Sequence, residues 1–395
     1  MRTEKYGMFI QLFIINFLIT FAFSVNDSLF SLYMGDINMN AAAMGAAFAF
    51  YSLSKIILSP FSGKMLDKFG FYKILNAGLL AYLAVSCSYF FFIDQTVILI
   101  TRIIQGGACA LFRPVIHYSI GINSRKETQG KTLSIFDMSF YTALAAAPFF
   151  GGVLRNAYGH SSVFLLMSAV SFAALVIGAL SGSKAIKGKI HSTARCGVSL
   201  AHCTPLLFYI FWRGWCISSV VVLLPVYLKK TGFSDITAGL IISISSLFFA
   251  VSLPLAGVLA DKKDRKRLIG SGGILSALLL IVLVQTAEFS VIAFLAAAYG
   301  ISGAVSQSAC STELIRSTRS EYLGSLLGRF HCILGSGAAC GAFFSSVLSS
   351  QYSAAKTVAP ACVLSICASV YVFYSGIKHE KKQFIQKAIK AQACE

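Results

Sequence analysis

The stretch Gly63-Lys64-Met65-Leu66-Asp67-Lys68-Phe69-Gly70-Phe71-Tyr72-Lys73 is a short polar segment between two long apolar runs. A related stretch, Gly257-Val258-Leu259-Ala260-Asp261-Lys262-Lys263-Asp264-Arg265-Lys266-Arg267, follows 194 residues later in a chain of 395. The separation indicates that one structural unit occurs twice. We expect Gly63 to end a helix where two backbones approach closely. Asp67 is expected near the start of the next helix, where the helix dipole favours a carboxylate, and Lys68 is expected to anchor one side of a membrane.

The composition indicates an integral membrane protein. Hydrophobic residues make up 56% of the chain and charged residues 12%, with a mean hydropathy of +0.75, whereas a soluble domain has about a quarter charged residues. Twelve apolar runs each approach or exceed the ~20 residues that a helix needs to cross a bilayer. They cover residues 8–33, 41–63, 73–93, 96–120, 131–156, 161–182, 204–229, 235–260, 268–286, 290–313, 323–349 and 354–377. The predicted fold is therefore all-α, with twelve transmembrane helices and no soluble domain. The first run is long enough to span and lacks a small-residue cleavage pattern, so no cleavable signal peptide is predicted.

The basic residues predict the orientation. With the N-terminus inside, the loops and tails on that side hold 24 Lys and Arg residues, the opposite loops hold four, and five lie inside spans. The four are Arg155, Lys229, Lys230 and Lys356. The positive-inside rule then places both termini in the cytoplasm, and we expect a bacterial inner (plasma) membrane. The net charge of +18 follows from this distribution, and no nucleic acid partner is predicted.

A repeat extends well beyond the opening stretch. An offset of 194 residues aligns Tyr33 with Tyr227, Gly45 with Gly239, and Phe149-Phe150 with Phe343-Phe344. The register holds without a gap through six spans. Because six is even, both copies enter the membrane from the same side, as parallel repeats do. The predicted divisions are an N-terminal six-helix bundle (1–182), a cytoplasmic linker (183–203), a C-terminal six-helix bundle (204–377) and a basic cytoplasmic tail (378–395).

Four stretches resemble three motifs of the major facilitator superfamily. The two copies of the opening stretch are similar to its loop between helices 2 and 3 (G-x-x-x-D-[RK]-x-G-[RK]-[RK]), with Phe71 and Tyr72 at two usually basic positions and Asp264 replacing the later glycine. The stretch 102–106 (Arg-Ile-Ile-Gln-Gly) is similar to the R-x-x-Q-G element, whose arginine is linked to proton coupling in the family. The stretch 145–152 resembles the G-P-x-x-G-G element of proton-coupled antiporters, especially drug exporters, with Ala147 before the proline.

The resemblance implies two pseudo-symmetric six-helix bundles that transport by alternating access. The residues expected to act in gating are Gly63, Asp67, Lys68, Gly70, Gly257, Asp261, Pro148, Gly151 and Gly152. An alternative interpretation of Pro148 with Gly151 and Gly152 is a kinked, closely packed helix.

Charged residues inside the predicted spans are the main candidates for function. They are Asp27, Lys55, Arg102, Arg113, Asp137, Arg213 and Arg329, with Glu313 at the end of span 10. A charge at the centre of a lipid-facing helix costs roughly 2.5–3.5 kcal/mol, so these side chains are expected to face protein or water. Spans 1, 2, 4, 5, 7 and 11 contain them, whereas spans 3, 6, 9 and 12, which the resemblance implies form an outer lipid-facing layer, do not.

The predicted substrate-binding residues are Arg113, His117, Arg213, Gln307 and Lys55. Arg113 lies one turn before His117, and its repeat partner is Gln307, which suggests a site between the two halves. A structural bridge between Arg113 and Asp137 is the alternative. Arg213 and Lys55 are alternatively cations that snorkel to the membrane surface, and Arg329 is expected to be an anchor.

The predicted proton-coupling residues are Asp27, Asp137, Arg102 and His331. Asp137 and His331 occupy equivalent positions in the repeat, and both side chains can change protonation state. The excess of cations over carboxylates predicts an organic anion as solute, such as a carboxylate, a phosphonate or a metal-chelating carboxylate.

The predicted function is secondary active transport of a small organic solute, which the resemblance implies is driven by protons. The stretch in span 5 favours export. Uptake by proton symport is the nearest alternative. A sensor or a membrane enzyme is a remote one, because no catalytic motif is present. No cofactor or metal is predicted, since the eleven cysteines are scattered without ligand spacing. The partners expected are the solute, protons and the lipid bilayer, and the chain is expected to be a monomer.

Overall fold

The computed structural model describes residues 2–92, 94–123, 129–180, 204–316 and 323–392, and these ranges contain thirteen helices. The helices of the first part are α1 (Arg2–Asp27), α2 (Phe30–Asp36), α3 (Ala41–Phe69), α4 (Phe71–Phe91), α5 (Gln95–Asn123), α6 (Gln129–Tyr158) and α7 (His160–Leu180). Those of the second part are α8 (Thr204–Lys230), α9 (Asp235–Lys262), α10 (Arg265–Leu283), α11 (Phe289–Arg316), α12 (Leu323–Ser349) and α13 (Ala354–Gln392). The all-helical prediction is confirmed for the described residues.

Eleven of the helices are long and apolar enough to cross a membrane. The helix α6 has 30 residues, which is sufficient length, but its sequence includes Lys131, Asp137 and Arg155 and it does not reach the same apolarity. Eleven of the twelve predicted spans are thus matched, and the crossing by α6 stays a prediction.

The first predicted span, 8–33, is divided into two helices. Helix α1 ends at Asp27 and the short helix α2 begins at Phe30. Between them, the Leu29 N–H donates to the Asn26 carbonyl at 3.1 Å. Donor and acceptor are three residues apart, as in a turn, and not four as in an α-helix. The physical reason lies in the sequence Asn26-Asp27-Ser28, because these short polar side chains compete for backbone hydrogen bonds and weaken a helix.

The opening stretch is more helical than predicted. Helix α3 continues through Gly63 and Asp67 to Phe69, and α4 begins at Phe71, so the turn consists of Gly70 alone. Gly70 has φ 83° and ψ 162°, a conformation that essentially only glycine adopts. The expectations that Gly63 ends a helix and that Asp67 begins the next one are therefore wrong, because Gly70 supplies the chain reversal.

The second copy shows the same arrangement. Gly257 and Asp261 both lie inside α9, and a Cβ atom at Gly257 would meet Ser308 at an ordinary 3.6 Å. The carboxylate at the start of the following helix belongs to Asp264, which accepts a hydrogen bond from the Arg267 N–H at 2.9 Å. Replacement of a glycine by aspartate at this position thus caps α10.

The helices associate in two groups. Within the first group, which we call the N-half (α1–α7), α3 and α4 contact α5, while α1 contacts α6 and α7. Within the second group, the C-half (α8–α13), α9 and α10 contact α11, while α8 contacts α12 and α13. The two groups meet mainly where α6 contacts α9 and where α3 contacts α12. The boundaries at 182 and 204 stay predictions because residues 181–203 lie outside the described ranges, and α13 extends into the predicted tail.

We call the side of the bundle with both chain termini the terminal side and the opposite side the distal side. The predicted orientation makes the terminal side cytoplasmic. Helices α3 and α9 begin on the distal side, and α6 and α12 end there.

Close helix crossings repeat with the 194-residue offset. A Cβ atom at Gly106 would overlap the carbonyl oxygen of Tyr51, and one at Gly300 would overlap that of Ser245. Both pairs are equivalent in the repeat. They occur between α3 and α5 in the N-half and between α9 and α11 in the C-half, so each copy packs these helices in the same way.

Spans 3, 6, 9 and 12 correspond to helices α4, α7, α10 and α13, which were expected to form an outer, lipid-facing layer. Helices α4, α7, α10 and α13 display large apolar side chains on their exposed faces, among them Leu80, Phe91, Leu165, Phe172, Leu275, Leu278, Val363 and Tyr371. Such faces are suited to acyl chains rather than to water.

Candidate functional site

Charged and polar side chains from both halves meet near the middle of the bundle. We call Lys55, Arg113, Asp137, Tyr141 and His331 the central cluster. Lys55 lies at the midpoint of α3, and Arg113 lies on α5 about one turn towards the terminal side of that helix's midpoint. Asp137 and Tyr141 belong to α6, and His331 belongs to α12 in the C-half. The structure therefore brings together three predicted proton-coupling or substrate residues of the N-half with one of the C-half.

Electrostatic interactions connect the members of the central cluster. The charge of Arg113 acts on Lys55, on the Asp137 carboxyl and on the His331 ring. The guanidinium carbon of Arg113 also lies 3.9 Å from the centre of the Phe140 ring, a cation–π contact. Two cations and one carboxylate thus share the space, which leaves an excess of positive charge.

The central cluster is accessible rather than packed. Lys55, Arg113 and Asp137 are each partly exposed, and His331 is exposed. Helices α3 and α6 contact the other half at α12 and α9, and Tyr141 contacts Phe249 of α9 across the interface with ring centres 5.3 Å apart. A solute that enters between the halves would therefore meet these side chains.

Arg213 does not snorkel. Its guanidinium donates to the Ser306 hydroxyl, to the Tyr209 hydroxyl at 3.3 Å and to the Gly303 carbonyl at 3.2 Å, and the residue is only 8% exposed. Ser306 and Gly303 belong to α11, so Arg213 fastens α8 to α11 inside the C-half. Its charge nevertheless acts on Tyr141 of the central cluster. Gln307, a predicted substrate-binding residue and the repeat equivalent of Arg113, follows Ser306 directly and is partly buried.

Asp27 and Arg102 form a buried ion pair. The Arg102 Nη1 donates to Asp27 Oδ1 at 2.7 Å and to Gln105 Oε1 at 3.1 Å, and Arg102 is fully buried. The guanidinium carbon lies 3.7 Å from the centre of the Phe30 ring. The two predicted proton-coupling residues are thus adjacent, although they are 75 positions apart in the chain. They lie inside the N-half and are separate from the central cluster.

The structure describes the backbone but not the side chains of two further candidates, His117 and Arg329. His117 lies on α5 and Arg329 on α12, but their surroundings fall outside the described part. Glu313 is paired with Arg265, whose Nε donates to Glu313 Oε2 at 2.8 Å. This contact joins α10 to α11 on the terminal side, within the C-half.

Ion pairs on the distal side were missed by the sequence analysis. Arg155 at the end of α6 bonds Asp36 of α2 at 2.6 Å, and its Nη1 lies 2.5 Å from Asp235 of α9. Asp235 also accepts from Lys229 at 2.9 Å. We call these four residues the distal ion network. Arg155 and Lys229 are two of the four basic residues in the loops on that side. Because basic residues are rare there, their presence was the sequence feature that could have indicated ion pairs.

The predicted gating stretch in α6 lies beside this network. A Cβ atom at Gly152 would come within 2.5 Å of the Asp235 carbonyl oxygen, and one at Gly239 would overlap that of Pro148. Gly151 faces α1 instead, where a Cβ atom would lie 2.6 Å from the Val25 carbonyl oxygen. These contacts agree with the interpretation as a closely packed helix. At the equivalent crossing of α3 and α12, a Cβ atom added at Gly45 would lie only 2.7 Å from the Cα of Phe343.

The sequence is similar to known transport proteins. The family model of the Major Facilitator Superfamily matches residues 12–234 and 206–391. Multidrug resistance protein 2 of Bacillus subtilis is 26% identical over 145 residues, and quinolone resistance protein NorA of Staphylococcus aureus is 25% identical over 149 residues. These matches cover 36% and 37% of both this chain and the relative, respectively, which is about a third of each relative's length.

Solved structures show the same fold. A bacterial homolog of the human lysosomal transporter Spinster, in an inward-facing and unoccupied conformation, has a TM-score of 0.83 at 13% identity, covering 96% of this chain and 98% of that one. The nucleoside transporter NupG has a TM-score of 0.74 at 13% identity, covering 94% and 99%. The resemblance to the drug-exporter-like branch is confirmed by the two resistance proteins, and the fold by these structures. The chain belongs to the Major Facilitator Superfamily of membrane transporters and is not an enzyme.

Proposed function

We propose that the protein is a proton-coupled secondary transporter of a small organic anion, which it binds at the central cluster between its halves. The observation that supports this most is the proximity of two cations, Lys55 and Arg113, near the middle of the bundle, where the described residues supply one carboxylate, Asp137. A site with this excess positive charge attracts anions and disfavours organic cations.

The other buried arginines do not lower this excess of positive charge. Arg102 is neutralised by Asp27, and Arg213 keeps its charge but is held by hydroxyl and carbonyl groups of the C-half. Among the described side chains of the spans, the cations that a solute can reach are those of the central cluster. The guanidinium of Arg113 is suited to a carboxylate or phosphonate, because it can donate two parallel hydrogen bonds to such a group.

Proton coupling is proposed for two carboxyls. Asp27 is bonded to Arg102, and Asp137 is subject to the charge of Arg113. In each case a proton on the carboxyl would remove its attraction to the arginine, so protonation and helix packing are linked. If Asp27→Asn and Asp137→Asn both left gradient-driven accumulation intact, coupling would lie elsewhere.

Export is favoured over uptake. The span 5 stretch resembles the antiporter element, and both named relatives are resistance proteins. Uptake of an anion by proton symport is the second candidate, because the positive central cluster suits it equally well. Vesicles with an imposed pH gradient of either sign distinguish the two by the direction in which a transported probe moves.

The experiment for substrate charge is a thermal-shift screen of purified protein against matched organic anions and cations. Aromatic carboxylates and phosphonates are expected to raise the melting temperature, and the effect should disappear in Arg113→Gln, which introduces the residue found at the repeat position, Gln307. The matched control is Arg265→Gln, which removes a cation on the terminal side of the C-half. A preference for lipophilic cations that persists as the pH is varied would contradict the proposal.

A further inference from the structure

A group of buried polar side chains lies on the distal side of the N-half, close to the break between α1 and α2. The ring of His160, at the start of α7, has its Nε2 3.2 Å from the Asn26 Oδ1, and the ring centres of His160 and Tyr33 are 4.7 Å apart. Ser28 lies in the break itself. We call Asn26, Ser28, Tyr33 and His160 the distal polar group.

The distal polar group is buried but incompletely bonded. Its four residues are between 0% and 9% exposed. The Asn26 Nδ2, the Ser28 hydroxyl, the Tyr33 hydroxyl and the His160 Nδ1 have no hydrogen-bond partner among the described residues. Buried polar atoms of a protein nearly always have a partner, and where protein atoms do not supply one, ordered water does. Four such atoms on residues of this group are therefore expected to bond water.

The repeat shows that the fold does not require these polar residues. The C-half has Val220 at the position of Asn26, Val222 at that of Ser28 and Ala354 at that of His160. Tyr227, the equivalent of Tyr33, donates its hydroxyl to the Thr286 carbonyl at 2.7 Å.

The neighbouring ion pair is replaced in the same way, with Val221 and Ala296 at the positions of Asp27 and Arg102. One copy of the unit thus packs this region with apolar residues. The polar set in the other copy calls for a separate explanation.

The distal polar group borders the buried ion pair, because the ring centres of Tyr33 and Phe30 are 5.6 Å apart and Phe30 packs against the Arg102 guanidinium. Asn26 precedes Asp27 in α1. At the other end, the charge of Arg155 acts on His160, and Arg155 is bonded to Asp36, whose side chain is 59% exposed. The charged and titratable groups around His160 are therefore Arg155 from α6 and Tyr33 from α2, with the distal ion network beyond them.

We propose that the distal polar group is a hydrated proton path between the distal surface and Asp27. The proposal rests on the proposed role of Asp27 in coupling. When the His160 Nε2–H donates to Asn26, Nδ1 has a free lone pair that can take a proton from a hydronium ion at the distal surface. The imidazolium returns this proton from Nδ1 to a second water, which passes a proton to the Asp27 carboxylate, and His160 is neutral again. The carboxylate becomes neutral and loses its ionic bond to Arg102, so the protein has gained one proton and the distal solution has lost one.

The path has a consequence for the order of events. It reaches Asp27 from within the N-half, and the distal crossings of α6 with α9 and of α3 with α12 do not lie along it. Protons from the distal side could therefore load Asp27 while those crossings remain closed.

The test measures proton uptake by the purified full-length protein in lipid nanodiscs after a downward pH jump, with a soluble pH-indicator dye as the reporter. The part of the proton uptake that is due to Asp27 is the uptake by the unchanged protein minus the uptake by Asp27→Asn. We expect His160→Gln, which can still donate to Asn26 but cannot carry a proton, to slow this part by about tenfold or more while preserving its final amplitude. Tyr33→Phe should slow it as well. Tyr227→Phe is the matched control, and it should change neither rate nor amplitude.

The outcomes separate the two proposals. If the Asp27 part is present but its rate is unchanged in both His160→Gln and Tyr33→Phe, the path is refuted and the coupling role of Asp27 survives. If no Asp27 part exists, the coupling role fails and the path fails with it.

Hydroxyl-radical footprinting with mass spectrometry supplies a readout independent of proton kinetics. Tyr33, which is 7% exposed, should be labelled faster than Tyr209, which is 1% exposed and is hydrogen-bonded to Ser306, by more than this small difference in exposure explains. Equal labelling of the two tyrosines would overturn the hydrated site.

Discussion

Removal of Arg155 should open the distal side of the transporter. Arg155 belongs to the N-half and contacts Asp235 of the C-half at 2.5 Å, so it holds the two halves together beside the crossing of α6 and α9. An open distal side requires this contact to break. We therefore expect Arg155→Gln to shift the protein from the closed towards the open distal conformation, and Asp235→Asn to act in the same direction.

The size of the shift follows from burial. The side chains of Arg155 and Asp235 are 6% and 9% exposed, and loss of one member of a buried pair costs about 3–5 kcal/mol. Two features reduce this cost: Asp235 keeps its contact with Lys229, and the side chains of Lys229 and Asp36 are more than half exposed to solvent. We expect a change of about 1–3 kcal/mol, which corresponds to a roughly 5- to 150-fold change in the ratio of closed to open protein.

Distance measurements by electron paramagnetic resonance test this expectation. Spin labels on unnatural amino acids at positions 158 and 352 replace two exposed tyrosines on the distal ends of different halves, and they leave the native cysteines in place. The long-distance population should grow in Arg155→Gln. The control, Arg265→Gln, breaks an ion pair inside the C-half and should leave the distribution unchanged. An unchanged distribution in Arg155→Gln would refute the role of the distal ion network as a closure.

Three further predictions concern glycine geometry and the buried ion pair. Gly70→Ala should lower stability by about 1–3 kcal/mol, because Gly70 has a conformation that alanine avoids, whereas Gly35→Ala, inside a helix, should not lower it; thermal unfolding in detergent compares the two. Asp27→Val should destabilise the protein by about 3–5 kcal/mol by leaving Arg102 buried and unpaired, and the double change with Arg102→Ala should restore much of the loss in the same assay. Gly239→Ala should increase the open distal population in the distance measurement, because its methyl group would separate α6 from α9.

The halves and the outer layer were predictable because they depend on local or periodic features. The length of each apolar run predicts a span, and an offset that aligns Gly45 with Gly239 predicts two similar bundles. Neither argument requires knowledge of which helices are neighbours. The empty spans 3, 6, 9 and 12 likewise predicted an outer layer, because uncharged helices can face lipid.

Helix ends were harder to predict than helices. Asp67 and Asp261 were expected to begin helices, yet both lie in the last turn of one, and the reversal falls on Gly70. The reason is that a polar residue in a membrane-facing sequence indicates the edge of the bilayer but does not mark where the backbone turns. The turn is fixed by φ and ψ at one residue.

The sequence by itself determined that this chain is a membrane bundle of two similar halves with an excess of cations in its interior. Only the tertiary structure decided which of those cations are neutralised. Asp27 neutralises Arg102, whereas Arg213 is bonded to uncharged groups such as the Ser306 hydroxyl, and Lys55 is left near Arg113. The physical reason is that an ion pair depends on the rotation and depth of two helices that are far apart in the chain. Composition and spacing determine how many charges are buried, whereas packing determines which partners they meet.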